Sequence, residues 1–261
     1  MNFRRLAEAN RTLISAGAVI LLWFVFAYLN ARVFNWVNPN LLPGPIDVIK
    51  SGIETARTGE LQGDILASLS RIGEGFVIAC VFGVLTAFLV AVCKPVAFFV
   101  EPVIEILRPI PPLAFLPMLV LWFGIGEFSK VSFIAYSAFF PIFITSVEGI
   151  KHVDPVLIRA ANSLGATRTQ MFRYVILPSA LPSIFTGLRL GIALAFFVIV
   201  AAEFLGADSG IGYLINNARI YFMVSQMLFG AAVVGFFGYI VNWILKTLEG
   251  KALAWRAESS K

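Results

Sequence analysis

Five ionisable residues interrupt long apolar stretches of this sequence, and they are the side chains best placed to do chemistry: Glu101, Glu105, Arg108, Arg189 and Glu203. A charged group at the centre of a lipid bilayer costs about 2.5–3.5 kcal/mol on insertion scales, so each of the five is a functional candidate. Glu101, Glu105 and Arg108 follow one another at helical spacing, so they can share one face and Glu105 can pair with Arg108. Such groups form structural ion pairs between helices or hold an ion of opposite charge, and the sequence leaves both roles open.

The composition places most of the chain in lipid. Apolar residues make up 59% of the 261 positions, Phe alone occurs 25 times, and the mean hydropathy is +0.87, whereas soluble domains are near half apolar. Charged residues make up 13% and fall mostly between the apolar runs. The net charge of +5 does not indicate nucleic-acid binding, because the basic residues lie beside apolar runs and form no basic-aromatic cluster. We therefore predict an all-α integral membrane protein that contacts the lipid bilayer and no nucleic acid.

Six apolar runs approach the length of about 20 residues that a helix needs to cross a bilayer. They lie at 13–29, 76–92, 96–123, 131–147, 184–202 and about 227–245. The first run is longer than the core of a secretory signal, and no small-x-small cleavage site follows it. We predict six transmembrane helices in four regions, namely 1–30 with the first helix, an outer loop with surface helices at 31–75, a core at 76–245 with the other five helices, and a tail at 246–261.

The third run is interrupted by the segment Arg108-Pro109-Ile110-Pro111-Pro112. Pro111 and Pro112 donate no backbone hydrogen bonds and force a local break in the helix. Non-helical backbone at membrane depth is tolerated only where protein or a water-filled cavity surrounds it. The break therefore indicates a path through the membrane, and the alternative is that the prolines serve helix packing.

Basic residues predict the orientation, because short cytoplasmic loops carry an excess of Lys and Arg. The N-terminal segment, the 93–95 turn, the 148–182 loop and the tail hold twelve of them, and the opposite side holds six. We therefore expect both termini in the cytoplasm of a bacterium, with the chain in its inner membrane.

The cytoplasmic loop at 148–182 has the pattern of two short helices. The first runs from Pro155 to Leu164 and stops at Gly165. The second runs from Thr167 to Ile176 and is expected to end before Pro178, whose ring disfavours a continuing helix. Small residues on the first helix let another protein approach closely. The pattern therefore predicts that the loop is a docking knob, a protrusion to which another protein binds. The alternative is an ordinary basic loop that lies against lipid head groups.

This loop resembles the coupling loop of permease subunits of ATP-binding-cassette (ABC) importers, whose motif runs from Glu-Ala-Ala through a Gly to a hydrophobic-Leu-Pro. Arg159 stands where that family usually has Glu, so the groove of a partner would need a compensating acid. The matching residues are Ala160, Ala161, Leu164, Gly165, Ala166, Leu177, Pro178 and Pro182. In that family the loop sits in a groove of the ATPase subunit and transmits nucleotide-driven closure to the pore. The resemblance implies this role for Arg159, Ala160, Ala161, Leu164, Gly165, Ala166, Arg168 and Phe172.

A second set of segments is similar to the nitrate, sulfonate and taurine importer group. The segments are Leu42–Pro45, Gly59–Leu61, Ser68–Arg71, Gly75–Phe76, Leu107–Ala114 and Leu121–Glu127. The resemblance implies the type I (MetI-like) permease fold and a homodimer with the pore at its interface. It also implies two ATPase subunits that bind ATP and Mg²⁺, an extracytoplasmic solute-binding protein, and transport by alternating access. The solute stays open among sulfonates, taurine, nitrate, bicarbonate and similar anions, because selection falls mainly to the binding protein.

An importer of anions gives the charges within the membrane a sharper interpretation. Arg108 or Arg189 would be a positive point on the translocation path, and Glu203 its gate or partner. The predicted path residues are Glu105, Arg108, Pro111, Pro112, Arg189 and Glu203.

Two other classes of function are weighed against the importer. A secondary transporter driven by an ion gradient would show inverted repeats or interior acids, and Glu101, Glu105 and Glu203 keep that alternative open. A membrane-embedded enzyme would need a nucleophile and base or a set of metal ligands, but the one histidine, His152, has no company of that kind. The chain has no G-x-x-x-x-G-K-[ST] sequence. We therefore predict a chain that is not an enzyme and binds neither cofactor nor metal itself.

Overall fold

The computed structural model describes residues 2–254, with the side chains of residues 14, 15 and 17–254. The described residues form helices joined by short loops, and no strand occurs among them. The α-helices are α1 (Asn2–Leu29), α2 (Pro45–Arg57), α3 (Glu60–Val92), α4 (Lys94–Leu107), α5 (Pro112–Phe123), α6 (Glu127–Lys151), α7 (Pro155–Ser163), α8 (Arg168–Met171), α9 (Leu177–Phe204), α10 (Ile211–Ile220) and α11 (Val224–Ala252). Two π-helical turns, at Asn30–Phe34 and Phe172–Ile176, and a 3₁₀ turn at Pro39–Leu41 lie between them. The all-α prediction is confirmed.

Five stretches of the described chain are long and apolar enough to cross a membrane, and a bent pair of helices makes a sixth if the pair counts as one span. The five are Gly17–Phe34, Glu60–Val92, Glu127–Lys151, Arg168–Phe204 and Val224–Ala252, and the pair is α4 with α5. Each predicted span coincides with one of these. α3 begins within the predicted outer loop, and α11 continues into the predicted tail. The rest of that tail, residues 255–261, lies outside the described residues.

α6 lies at the centre of the bundle, packed between α3 and α9. Ile134 and Ile142 of α6 are fully buried, and glycines bring the neighbouring backbones close to them. A methyl group at Gly75 of α3 would lie 2.7 Å from the Ile134 side chain, and one at Gly191 of α9 would lie 2.8 Å from that of Ile142. The G-x-x-x-G pattern of Gly187 and Gly191 therefore packs against α6 of the same chain.

α4 and α5 meet at an angle of 103° and do not form a straight span. The bend falls between residues 107 and 112, at the proline-rich segment that predicted a break. Pro112 begins α5, where its missing N–H removes no helical hydrogen bond. α5 packs on the core through Leu116 and Leu119, which are both buried. Its 12 residues span about 18 Å, so α5 alone crosses only part of a bilayer about 30 Å thick.

The expected helix end before Pro178 is wrong. α8, the π-turn at Phe172–Ile176 and α9 follow without a break and form one helical stretch of 37 residues that reaches Phe204. The π-turn joins the Leu177 N–H to the Phe172 carbonyl. Pro178 then sits at the start of α9, where the missing N–H is tolerated. One continuous helix therefore connects the predicted docking loop to the opposite end of the bundle.

The bundle has two ends, which we name by their contents. The α2 end contains α2, α10 and the first turns of α3, α6 and α11, and the knob end contains α7 and α8 with the last turns of α6 and α11. α1 is attached at the α2 end, where Trp23 Nε1 donates a hydrogen bond of 3.2 Å to the Pro43 carbonyl. Most of the described side chains of α1 are exposed. α1 therefore lies outside the core.

Candidate functional site

A buried carboxylate at the α2 end, Glu203 near the end of α9, is the centre of a hydrogen-bond network. Glu203 is 1% exposed. It accepts hydrogen bonds from Arg71 Nη1 at 2.7 Å, from Ser68 Oγ at 2.8 Å and from the Gly212 N–H at 2.7 Å. A carboxylate is tolerated in an apolar interior only where donors surround it. Glu203 is thus fully engaged by α3 and α10.

Arg71 extends this network to α6. Its Nε and Nη2 atoms donate to the two carboxylate oxygens of Glu127 at 2.6 and 2.9 Å, and Nη1 also donates to the Ser209 carbonyl at 2.7 Å. Lys130 Nζ donates to Glu127 at 3.0 Å. A guanidinium fork on a carboxylate is among the stronger hydrogen-bonded pairs in proteins. Arg71, itself 5% exposed, therefore connects α3, α6, α9 and the loop before α10 at one point.

The network also fixes the start of α10. The Gly210 N–H donates to Asp64 Oδ1 at 2.7 Å, and the Ile211 N–H donates to Ser68 Oγ at 2.8 Å. The first N–H groups of a helix have no partner within it, so these acceptors complete the helix end. Gly210 has φ +125°, and a Cβ atom there would clash with the Glu203 carboxylate. This close approach requires glycine.

The expected pairing of Glu203 with Arg108 or Arg189 is wrong, because the cation at Glu203 is Arg71. Arg189 instead pairs with Glu249 of α11 at 2.9 Å. The reason is distance along α9: Arg189 lies fourteen residues before Glu203, or about 21 Å toward the knob end.

Arg71 and Ser68 were missed as site residues because they fell in the predicted outer loop. The sequence did contain a signal for such a partner. Glu203 is an acid in an otherwise apolar span, and an acid in that position needs a buried cation nearby.

The expected pair of Glu105 with Arg108 does not form. Both side chains are exposed, and within residues 2–254 neither has an ion pair or a side-chain hydrogen bond. The neighbouring Glu101 instead pairs with Lys151 at the end of α6. At the bend itself Pro111 is exposed and Pro112 is half-buried. The guanidinium of Arg108 is therefore free to meet an anion at the break between α4 and α5.

The predicted docking loop is an exposed protrusion made of α7 and α8, which we call the knob. Leu164, at the end of α7, is 88% exposed. Gly165 has φ +74°, a conformation that glycine adopts without strain. Thr167 then starts α8, where its side chain accepts from the Gln170 N–H at 3.3 Å and its own N–H donates to Gln170 Oε1 at 2.8 Å. The turn of the knob is thus fixed by local contacts while its apolar tip faces outward.

The remaining predicted docking residues divide into an outer and an inner set. Arg159, Ala160 and Arg168 are exposed, and Ala161, Ala166 and Phe172 are half-buried. The Phe172 ring contacts that of Phe88 on α3 edge-on, with 5.1 Å between centroids. Displacement of the knob would therefore act directly on α3 and, through the continuous helix, on α9.

A polar cleft of about 730 Å³ opens at the α2 end. Its walls come from α2, the start of α3, α10 and the start of α11. Four acids line it, Asp47, Glu54, Glu60 and Asp64, against the single Lys50. The cleft is therefore an acidic surface at the end of the molecule opposite to the knob.

These features describe a membrane protein with an acidic cleft at one end of its helical bundle and an exposed knob at the other. No group of three His, Cys, Asp or Glu among residues 2–254 is placed to hold a metal ion. The donors and acceptors of the buried network pair with one another, so the network can hold α3, α6, α9 and α10 together.

The fold is that of ABC transporter permeases. The chain is similar to a chain of the MetNI methionine ABC transporter in an inward-facing conformation, with a TM-score of 0.65 at 19% identity, covering 76% of this chain and 98% of that one. A second solved structure, an amino acid ABC transporter with histidines, gives a TM-score of 0.57 at 20% identity over 77% of this chain and 96% of the other.

Sequence comparison then gives the family. Residues 79–253 match the family described as "Binding-protein-dependent transport system inner membrane component". The taurine transport system permease protein TauC of Escherichia coli K12 is 36% identical over 94% of this chain and 90% of its own length. The putative aliphatic sulfonates transport permease protein SsuC of Bacillus subtilis 168 is 33% identical over 94% and 87%.

The chain belongs to this family and is the permease subunit of an ABC importer, a multi-pass protein of the inner membrane. Its partners are an ATPase subunit, which hydrolyses the ATP, and a solute-binding protein. The predicted importer is confirmed over the ion-driven secondary transporter.

Proposed function

We propose that this chain forms the pore for a small oxyanion, a sulfonate such as taurine foremost, and works as a homodimer. The observation that carries the solute class is the identity of 36% and 33% to permeases named for taurine and aliphatic sulfonates, each over 94% of this chain. The exposed, unpaired Arg108 at the α4–α5 break supports it, because a guanidinium binds the oxygens of such anions well.

The translocation path runs past the α4–α5 break, along Glu105, Arg108, Pro111 and Pro112. Glu105 and Arg108 are exposed and have no ion partner in one chain, which supports a water-filled path at the face where a second copy would pack. We assign bracing roles to the other two predicted path residues, Arg189 and Glu203, because each has an ion partner on another helix.

The knob is the site at which the ATPase subunit docks. The exposed Leu164 would fit an apolar pocket of the ATPase subunit. Arg159 and Arg168 are also exposed and would pair with acidic residues at the rim of the ATPase groove. ATP and Mg²⁺ are bound by that partner and not by this chain. Closure of the ATPase pair would draw two knobs together, and the helix from Arg168 to Phe204 would carry this movement to the α2 end.

The α2 end faces the extracytoplasmic side and receives the solute-binding protein, whose docking surface should be basic to match the acidic cleft. The knob end then faces the cytoplasm. The last turns of α11 lie toward the knob end, where Glu249 pairs with Arg189 of α9, which supports a cytoplasmic C-terminus. The excess of basic residues supports a cytoplasmic position for both termini.

Association with the ATPase tests the knob assignment. Leu164→Glu places a charge at the tip, and we expect it to abolish co-purification of the ATPase subunit with the permease. Ile46→Glu is the matched control, because Ile46 on α2 is an apolar side chain exposed by 52% at the opposite end. Equal ATPase recovery with both variants would contradict the docking role.

A further inference from the structure

The hydroxyl group of Tyr136, about a third of the way along α6, is buried and has no hydrogen-bond partner within the described chain. A buried polar group without a partner loses its hydration and gains nothing in return. Such groups are rare in folded proteins, and the surroundings of this one set it apart.

Packing does not explain this hydroxyl. The Tyr136 ring contacts Phe115 of α5 and Phe140 of α6, with centroids 4.8 and 5.1 Å away. Both neighbours are Phe, which the chain uses at 25 positions. A Phe at 136 would keep both ring contacts and remove the unpaired group, so the ring contacts alone do not account for the oxygen.

The position of Tyr136 points to the transport path. The ring that covers it, Phe115, lies in the first turn of α5, three residues after the proline-made bend. α5 is a short helix held mainly by α6. A movement of α5 away from α6 would uncover the Tyr136 hydroxyl beside the break where Arg108 is exposed.

We propose that the Tyr136 hydroxyl is a solute-binding group of the translocation path, which donates a hydrogen bond to an oxygen of the anion when α5 separates from α6. This role rests on the proposed function, since the ligand is the oxyanion that the pore carries. In this structure the ring of Phe115 on α5 packs against the ring of Tyr136, and the hydroxyl is buried.

The test compares Tyr136→Phe with Ser146→Ala in the permease–ATPase complex, reconstituted in liposomes with its binding protein. Ser146 is the matched control because its hydroxyl is also buried without a partner. Its neighbours along α6, Phe143, Val147 and Ile150, belong to a core cluster toward the knob end. ATP-driven uptake is measured with taurine, a short alkanesulfonate and nitrate as probes, and Tm is measured for each complex.

We expect Tyr136→Phe to lower uptake about tenfold or more, as the loss of a hydrogen bond to a charged group predicts, with Tm unchanged or raised. Ser146→Ala should leave uptake at the wild-type rate. Wild-type uptake by Tyr136→Phe, or a loss of uptake accompanied by a fall in Tm of several degrees, would overturn the binding role alone. If the wild-type complex takes up none of the probes, the proposed solute class fails together with this role.

Discussion

The substitution Glu203→Gln tests whether the buried network holds the α2 end together. It keeps the size of the side chain but removes the charge, and its amide group presents donors where Arg71, Ser68 and Gly212 already donate. Arg71 would be left with Glu127, whose side chain is 62% exposed. Removing one partner of a buried ion pair costs about 3–5 kcal/mol. At about 2–4 °C per kcal/mol, this is a fall in Tm of about 6–20 °C.

The assay is thermal unfolding of the permease–ATPase complex in lipid nanodiscs. Glu101→Gln is the control, because it breaks the Glu101–Lys151 pair, whose side chains are 38% and 45% exposed. An exposed pair contributes about 0–1 kcal/mol, so the control should lose no more than about 4 °C. Equal Tm values for Glu203→Gln and the control would refute the bracing role of the network.

The double variant Arg71→Gln with Glu203→Gln sharpens this test. If the two side chains act as one pair, removing both leaves no buried charge of that pair without its partner. The loss of Tm should therefore be smaller than the sum of the two single losses. Additive losses would show that the two residues stabilise the bundle separately.

Three further predictions follow from particular contacts. Gly187→Leu should cost about 1–3 kcal/mol of stability and lower Tm, because a Cβ atom at 187 would lie 3.1 Å from Ile142 Cα. Gly235→Leu is the control and should leave Tm unchanged, because a Cβ atom at 235 would have no atom within 4 Å. Equal Tm values for the two variants would contradict the close crossing of α6 and α9. Gly165→Trp should abolish co-purification of the ATPase while the permease still inserts into the membrane. The φ of +74° at this position strains any residue other than glycine, and the knob tip is exposed, so the change falls on the docking surface. Full recovery of the ATPase would contradict the docking role. Arg108→Gln should lower oxyanion uptake about tenfold with Tm within a few degrees, and unchanged uptake would remove Arg108 from the path.

The spans and the break were predictable because they depend on local properties. A run of about 20 apolar residues is typical of a transmembrane helix. Two adjacent prolines interrupt a helix because neither donates a backbone hydrogen bond. The knob was equally local, since Gly165 and the Thr167–Gln170 capping box act within a few residues. Pro178 was misjudged because a π-turn, which the sequence does not announce, lets the helix continue.

The partners of the buried charges were not predictable in this way. Arg71 and Glu203 are 132 residues apart, and their pairing depends on how α3 and α9 pack on either side of α6. Sequence spacing indicates only which side chains can meet within one helix. It suggested an ion pair between Glu105 and Arg108, and no such pair forms. The unpaired hydroxyl of Tyr136 was equally invisible, because only the packing of Phe115 over the ring shows that no partner is near.

We propose that ATP drives this pore through a docked partner and that the pore carries a sulfonate-type anion. ATP hydrolysis by the complex of this permease, its ATPase subunit and its binding protein should be measured in liposomes, with and without taurine. We expect taurine to raise ATP hydrolysis and to enter the liposomes when the binding protein is present. Taurine entry without ATP, or an ATPase that never associates with the permease, would contradict it.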